Sequence, residues 1–189
     1  VIPLTSVVVL GTNTNQEFAS NDNSKLQAVS SFNPLHEFSQ IVGGEKIDVT
    51  LLVPVGVEPH DWEPTIKDVQ RMQKSDLIVI NGIGFESWVD DLIENDYQGI
   101  IVNTSNGIEL NSSEEEHGEE GQEGEHGHLE GDPHIWLNPL YAKIQVQNIA
   151  NAFTNSDSTN SEFYLANAEK YNKKLDLLDS KIRTELSGC

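Results

Sequence analysis

The sequence predicts an α/β fold: four short strands in a mostly parallel sheet, followed by a long helix. Three observations lead there. Between residues 26 and 102, strand-like and helix-like segments alternate, which implies βαβ crossovers. One of those strands, residues 77–80, is wholly apolar (Leu-Ile-Val-Ile), as parallel strands covered on both faces are. Residues 161–186 contain neither Gly nor Pro and carry apolar residues at helical spacing, predicting a helix of roughly 40 Å at 1.5 Å per residue.

The chain has 189 residues, enough for one domain with a core. Residues 1–10 are apolar and are preceded by no Met or basic segment. They read as the tail of a signal peptide or membrane anchor, with a buried strand as the alternative; ten residues are too few to span a bilayer. Residues 11–23 are rich in Asn, Thr and Ser and read as a linker, so 1–24 stand apart. No Cys follows the apolar run to carry a lipid. Residues 26–31 alternate and are bounded by turn residues, giving a first strand. Residues 34–42 place Leu35, Phe38, Ile41 and Val42 on a helix that Gly43-Gly44 ends. Residues 47–53 form the second strand. Residues 65–74 form a helix with Ile66, Val69 and Met72 inward, and 77–80 the third strand. A helix is expected over 85–93 and a fourth strand over 100–102. After residues 111–131 come a helix over 139–153, with Ile144, Ile149, Ala152 and Phe153 among its apolar positions, a turn over 155–160, and the long helix. Its apolar positions include Phe163, Leu165, Ala168, Tyr171, Leu175, Leu178 and Ile182.

Two stretches stand out chemically. Asp132-Pro133-His134-Ile135-Trp136-Leu137-Asn138-Pro139 places one imidazole on stiff backbone. Pro133 fixes its own φ and pushes Asp132 toward an extended conformation, while Asn138 and Pro139 can cap and open the next helix. Alone, this is compatible with a metal ligand and equally with a hydrogen-bonded, partly buried histidine. The second stretch, from Val53 to Pro64, repeats the arrangement: Pro59 directly before His60, then Asp61, Glu63 and Pro64. His60 follows a strand, where open α/β sheets hold their ligands.

At this point a resemblance enters. Leu52-Val53-Pro54, Gly56, Glu58-Pro59-His60-Asp61 and Glu63-Pro64 resemble the first signature of the metal-specific solute-binding proteins of ABC importers, the zinc/manganese uptake family. Asp132 to Leu137 resembles the second. Asn81-Gly82 through Glu86 and Trp88 resembles the segment between them. The resemblance implies that His60 and His134 are two of the metal ligands. It implies a four-stranded lobe with helices on both faces, and a long helix acting as a rigid spine between two lobes. It further implies an extracytoplasmic receptor, expected as a monomer, whose partners are the metal and an ABC importer permease. On this pattern 25–157 is the N-terminal metal-binding lobe and 158–189 the linking helix. The family's second lobe, with a further His and a carboxylate, has no counterpart in these residues. With two rigid imidazoles in place of four ligands, the chain is expected to bind zinc more weakly than a complete receptor.

Composition bounds the partners. Lys+Arg 11 against Asp+Glu 31 gives a net charge of −20, which repels phosphate backbones and argues against nucleic acid. The single Cys, Cys189, excludes an internal disulfide and a thiolate zinc cluster, so zinc must be held by His and carboxylate. Within the loop at 110–131, His117, His126 and His128 stand amid Glu and Gly. Such a tract reads as an auxiliary metal-binding segment, the alternative being a solvated acidic insert. It resembles the His-rich insert of the zinc-type members, which favours Zn2+ over Mn2+. His36 is expected to be structural or exposed, and Trp62, Trp88 and Trp136 to be packing residues. Asn103-Thr104-Ser105 and Asn111-Ser112-Ser113 are glycosylation-type sequons, usable only outside the cytoplasm.

Two other functions fit parts of the pattern. A zinc-buffering or chaperone protein would use mainly the His-rich loop and show several weak sites. A zinc hydrolase would need an open coordination position and a general base, for which Glu63 stands three residues after His60. Pro59 and Pro64 oppose a helix there, however, and no H-E-x-x-H is present, so no enzyme is expected.

Overall fold

A computed structural model describes residues 25–94, 97–110 and 131–188. Residues 1–24 and 111–130, with His117, His126 and His128, lie outside the described residues, as do Asn111-Ser112-Ser113 and Cys189. Four strands, β1 (Leu26–Ser30), β2 (Ile47–Leu51), β3 (Leu77–Ile80) and β4 (Ile100–Asn103), form one sheet in the order β2-β1-β3-β4. Every pairing is parallel: Leu26 lies opposite Ile47, Ala28 opposite Leu77, and Leu77 opposite Ile100. The helices are α1 (Asn33–Gly43), α2 (Ile66–Met72), α3 (Val89–Glu94), α4 (Pro139–Ser156) and α5 (Ser161–Leu186).

The apolar strand reading is explained by what covers the sheet. In β3, Leu77 and Val79 join a core with α1, α4 and α5, while Ile78 and Ile80 join a second core with Met72, Trp88, Val89 and Leu92. In β1, Ala28 and Val29 divide in the same way. A strand whose period-2 faces are both covered needs apolar residues at every position. The larger core is aromatic where α4 meets α5: Phe153 and Tyr164 are both fully buried, with ring centroids 5.8 Å apart. Asn167 of α5 donates to the Val42 carbonyl at the end of α1 at 3.1 Å, so the long helix is tied to the lobe by a bond as well as by packing.

Local rules account for the helix ends. Asn138 caps α4, its side chain accepting from the Leu140 N–H at 2.9 Å, with Pro139 in the first turn, as the sequence predicts. Thr65 and Asp68 form a capping box that starts α2.

Three expectations need adjustment. The helix over 85–93 begins only at Val89, because the Glu86 carboxylate turns back onto the preceding loop. Ile66 is 79% exposed, because the short α2 buries only its last turn, through Met72. In α5, Tyr164, Ala168 and Leu175 are buried, but Leu165, Leu178 and Ile182 are exposed, since one narrow stripe of the helix faces the lobe. No helix among the described residues is long and apolar enough to cross a membrane.

Residues 110 and 131 meet at one place on the lobe. Leu110 packs over Gly131, where a Cβ would stand 2.7 Å from the leucine side chain and where φ is +127°. Asn148 of α4 donates to the carbonyls of Thr104 and Asn106, each at 2.9 Å, and fixes the approach from β4.

Candidate metal centre

In a parallel sheet every strand ends on the same side. The order β2-β1-β3-β4 puts the switch of direction between β1 and β3, since β1 connects outward to β2 and β3 outward to β4. A crevice opens at the carboxyl ends of such strands. Here the two Pro-His loops meet at that edge, His60 from the loop after β2 and His134 from the loop before α4.

The structure brings these two histidines together across 74 residues. Their Nε2 atoms lie 3.3 Å apart and their ring centroids 5.3 Å apart, and both side chains are exposed. His134 is oriented by Asp132, whose Oδ1 accepts from the His134 backbone N–H at 2.9 Å and lies 2.5 Å from ring Nδ1. Those two hydrogen bonds, the backbone one foremost, hold the Asp132 carboxyl below its usual range. An ionised carboxylate can only accept, so a neutral His134 carries its proton on Nδ1 and turns its Nε2 lone pair toward His60. A carboxylate bound to one ring nitrogen fixes the ring's orientation and leaves the other nitrogen able to bind a metal. His60 is held differently. Its backbone N–H reaches the Glu58 side chain at 3.4 Å, and its ring stands edge-on against Phe85 at 4.4 Å between centroids.

Beneath both loops lies residues 81–86, a short segment with unusual backbone. Gly82, Ile83 and Gly84 have φ of +81°, +58° and +65°. At Gly82 a Cβ would stand 2.1 Å from the Asn103 side-chain oxygen, so only glycine fits. A β-branched residue at Ile83's φ is strained by about 1–3 kcal/mol and needs surrounding structure to hold it. Glu86 does the holding. Its Oε1 accepts from the Ser31 hydroxyl and the Asn81 N–H, both at 2.7 Å, and its Oε2 from the Gly82 N–H at 3.0 Å. Burial pushes the Glu86 pKa up, and those donors pull it part of the way back. Ser31 follows β1 and Asn81 follows β3, so one carboxylate bridges the switch point.

Of the other singled-out residues, Trp136 touches the histidine pair, its ring centroid 5.2 Å from that of His134. His36 sits in α1, where burial pulls its pKa below the ordinary imidazole value. Glu63 lines a cavity of about 550 Å³ with Met72, Trp88 and Leu92. Trp88 is buried, with Trp62 edge-on to it at 6.0 Å, and Trp136 packs on Phe32 and Phe85 at 4.6 and 5.2 Å. All three tryptophans are packing residues. Among the described residues no group of three or more His, Cys, Asp or Glu side chains stands together as a complete metal cage. The roles of Asp132, Asn81 and Glu86 were not read from the sequence. The signal available for Asp132 was its position two residues before His134, the spacing of a side-chain-to-backbone turn.

The fold defines a class, the four-stranded parallel α/β unit with a long following helix that is shared with zinc-bound AdcA and ZnuA structures. The family model described as zinc-uptake complex component A, periplasmic, matches residues 28–189, and the chain belongs to that family. The family consists of substrate-binding proteins of ABC importers, not enzymes. The high-affinity zinc uptake system protein ZnuA of Bacillus subtilis is 40% identical over 94% of this chain and 57% of its own length. The manganese-binding lipoprotein MntA of Halalkalibacterium halodurans is 30% identical over 99% of this chain and 58% of its own. The crystal structure of Zn(II)-bound AdcA from Streptococcus pneumoniae superposes with a TM-score of 0.74 at 30% identity, covering 87% of this chain and 33% of that one. The chain thus spans a little over half the length of the first two relatives and a third of the last.

Proposed function

We propose that this chain is the metal-capturing lobe of an extracytoplasmic solute-binding protein that takes up Zn2+ and delivers it to the permease of an ABC importer. His60 and His134 supply two of the metal's ligands. The observation that carries this reading is the 3.3 Å separation of the two Nε2 atoms. With zinc–nitrogen bonds of about 2.0–2.1 Å, two imidazoles at the tetrahedral angle stand about 3.3–3.4 Å apart, so the two rings can share one zinc ion. Imidazole donors suit zinc, while manganese is better served by carboxylate and water. Two rings fill half of a tetrahedral sphere, and the other half falls to groups outside the described residues or to water. His117, His126 and His128 act as weaker auxiliary zinc ligands, which the imidazole-plus-carboxylate composition of their segment supports.

Titration of the chain with Zn2+ against a competing chelator, repeated with Mn2+, tests the reading. One dominant site that prefers zinc, weaker than a complete four-ligand site, is the expected result; a preference for manganese, or several equal weak sites, overturns it. Deleting residues 114–130 is expected to leave the fold and the dominant site intact and to lower the number of zinc ions bound at saturation. Unfolding on deletion would make the segment structural.

A further inference from the structure

We propose that Asn81 is a positioning residue for metal capture, fixing His134 relative to His60 through the Pro133 carbonyl; this rests on the assignment of the two histidines as ligands. The Asn81 side chain is fully buried and committed at both ends. Its Nδ2 donates to the Pro133 carbonyl at 2.9 Å and to the Gly82 carbonyl at 3.3 Å, and its Oδ1 accepts from Gln145 Nε2 at 3.0 Å. Turning the amide over would set oxygen against the Pro133 carbonyl and NH2 against the Gln145 NH2, so only one orientation is tolerated.

What Asn81 grips determines what it controls. The Pro133 carbonyl and the His134 N–H belong to the same planar peptide unit. The proline ring sets φ on one side of that unit, and its oxygen accepts from Asn81 in addition to the local Ile135 N–H at 2.8 Å, so Asn81 is what ties the unit to the sheet. Asp132 holds the N–H of the same unit at 2.9 Å. The plane from which the His134 side chain projects is therefore fixed at both of its polar atoms. His60 rests on the other end of the same segment, against Phe85, which is itself buried. One six-residue stretch thus sets both rings, and Glu86 locks it by accepting from the N–H groups of Asn81 and Gly82. Gln145 acts a step further out. It is fully buried in α4, donates to Asn81 Oδ1 and to Thr104 Oγ1 at 2.9 Å, and finds no partner for its own Oε1 among the described residues. A buried amide kept with an unsatisfied oxygen fits a role in orienting Asn81 better than one in stability.

The test uses the full chain and the variants Asn81→Ala, Gln145→Leu, His60→Ala and Leu175→Ala. Leu175→Ala removes a buried side chain in α5, away from the segment, and serves as a control for general loss of stability. Zinc affinity is read by chelator competition, ligand geometry by the visible spectrum of bound Co2+, and stability by thermal melting without metal. Asn81→Ala is expected to weaken zinc about 10- to 100-fold and to change the Co2+ spectrum, the range for groups that orient a ligand. Gln145→Leu is expected to lie near the lower end of that range. Leu175→Ala should lower the melting temperature and leave affinity and spectrum alone. Wild-type affinity and spectrum in folded Asn81→Ala overturn the proposal. Should that variant not fold, unchanged values in Gln145→Leu overturn it instead. If His60→Ala also binds zinc like the wild type, what has failed is the ligand assignment beneath it.

Discussion

The carboxyl edge of the sheet and the helical layer behind it are held by opposite means. At the edge, Ser31, Asn81, Glu86, Thr104 and Gln145 are buried polar side chains joined by hydrogen bonds. In the layer of α1, α4 and α5, Leu35, Val42, Ile149, Phe153, Tyr164 and Ala168 are buried and almost wholly apolar. Apolar packing is strong but non-directional, whereas a satisfied polar network sets angles. The lobe therefore draws its stability from one region and the aim of its histidines from the other.

Substitutions can break or sharpen that division. The largest expected effect lies in the helical layer. Phe153→Ala should cost about 3–5 kcal/mol of stability, seen in chemical denaturation, with zinc affinity of the remaining folded protein unchanged. An affinity loss of the same size would dissolve the distinction. At the edge, His60→Ala or His134→Ala should each weaken zinc by more than about a hundredfold, beyond the usual effect of outer-shell changes, while barely moving the melting temperature. His36→Ala serves as the reference and should leave affinity unaltered. Equal losses at all three positions would remove the case for the pair. Asp132→Asn comes next. It keeps the shape but loses the charge that holds the His134 proton on Nδ1, and about a tenfold loss of affinity is expected in the same titration.

The smallest effect is in pH. Asp157 accepts from the Tyr164 hydroxyl and from Asn160, both at 2.6 Å. Burial pushes its pKa up, but these hydrogen bonds outweigh it and leave the group below its ordinary value. A carboxylate with a depressed folded pKa contributes stability above its unfolded pKa, about 3.9, and loses it as pH falls toward the folded value. The difference in melting temperature between wild type and Asp157→Asn should therefore be present at pH 6 and shrink below about pH 4. A difference that does not change with pH would assign the effect to packing.

The same division marks what could be read in the sequence. Elements held by local rules were legible. The apolar run of β3, the Asn138-Pro139 start of α4 and the bounds of α5 all follow from propensity and periodicity. His60 and His134 were singled out because proline stiffens each loop and because both loops resemble a family signature, and the structure sets their rings side by side. Glu86 was not, since its hydroxyl partner Ser31 is 55 residues away and a lone Glu on an amphipathic pattern reads as solvated surface. The same Glu86 explains the misplaced start of α3. Phe85, Trp88, Val89 and Leu92 have helical spacing, but the carboxylate is occupied with the N–H groups behind it, and the first turn does not form. Asn81 and Gln145, 64 residues apart, become a pair only once α4 has docked on the sheet.

The meeting of Leu110 and Gly131 has a consequence for how this chain can change over generations. The ends of the intervening stretch are fixed by the body of the lobe, so its length hardly enters the free energy of folding. Doubling such a loop costs only about 0.6 kcal/mol in closure entropy. Insertions, deletions and turnover of histidine codons can accumulate there almost without penalty to the sheet. On the proposed role of its histidines, the stretch is a place where metal-buffering capacity can be raised or lowered by small genetic steps, while residues 81–86 admit almost none.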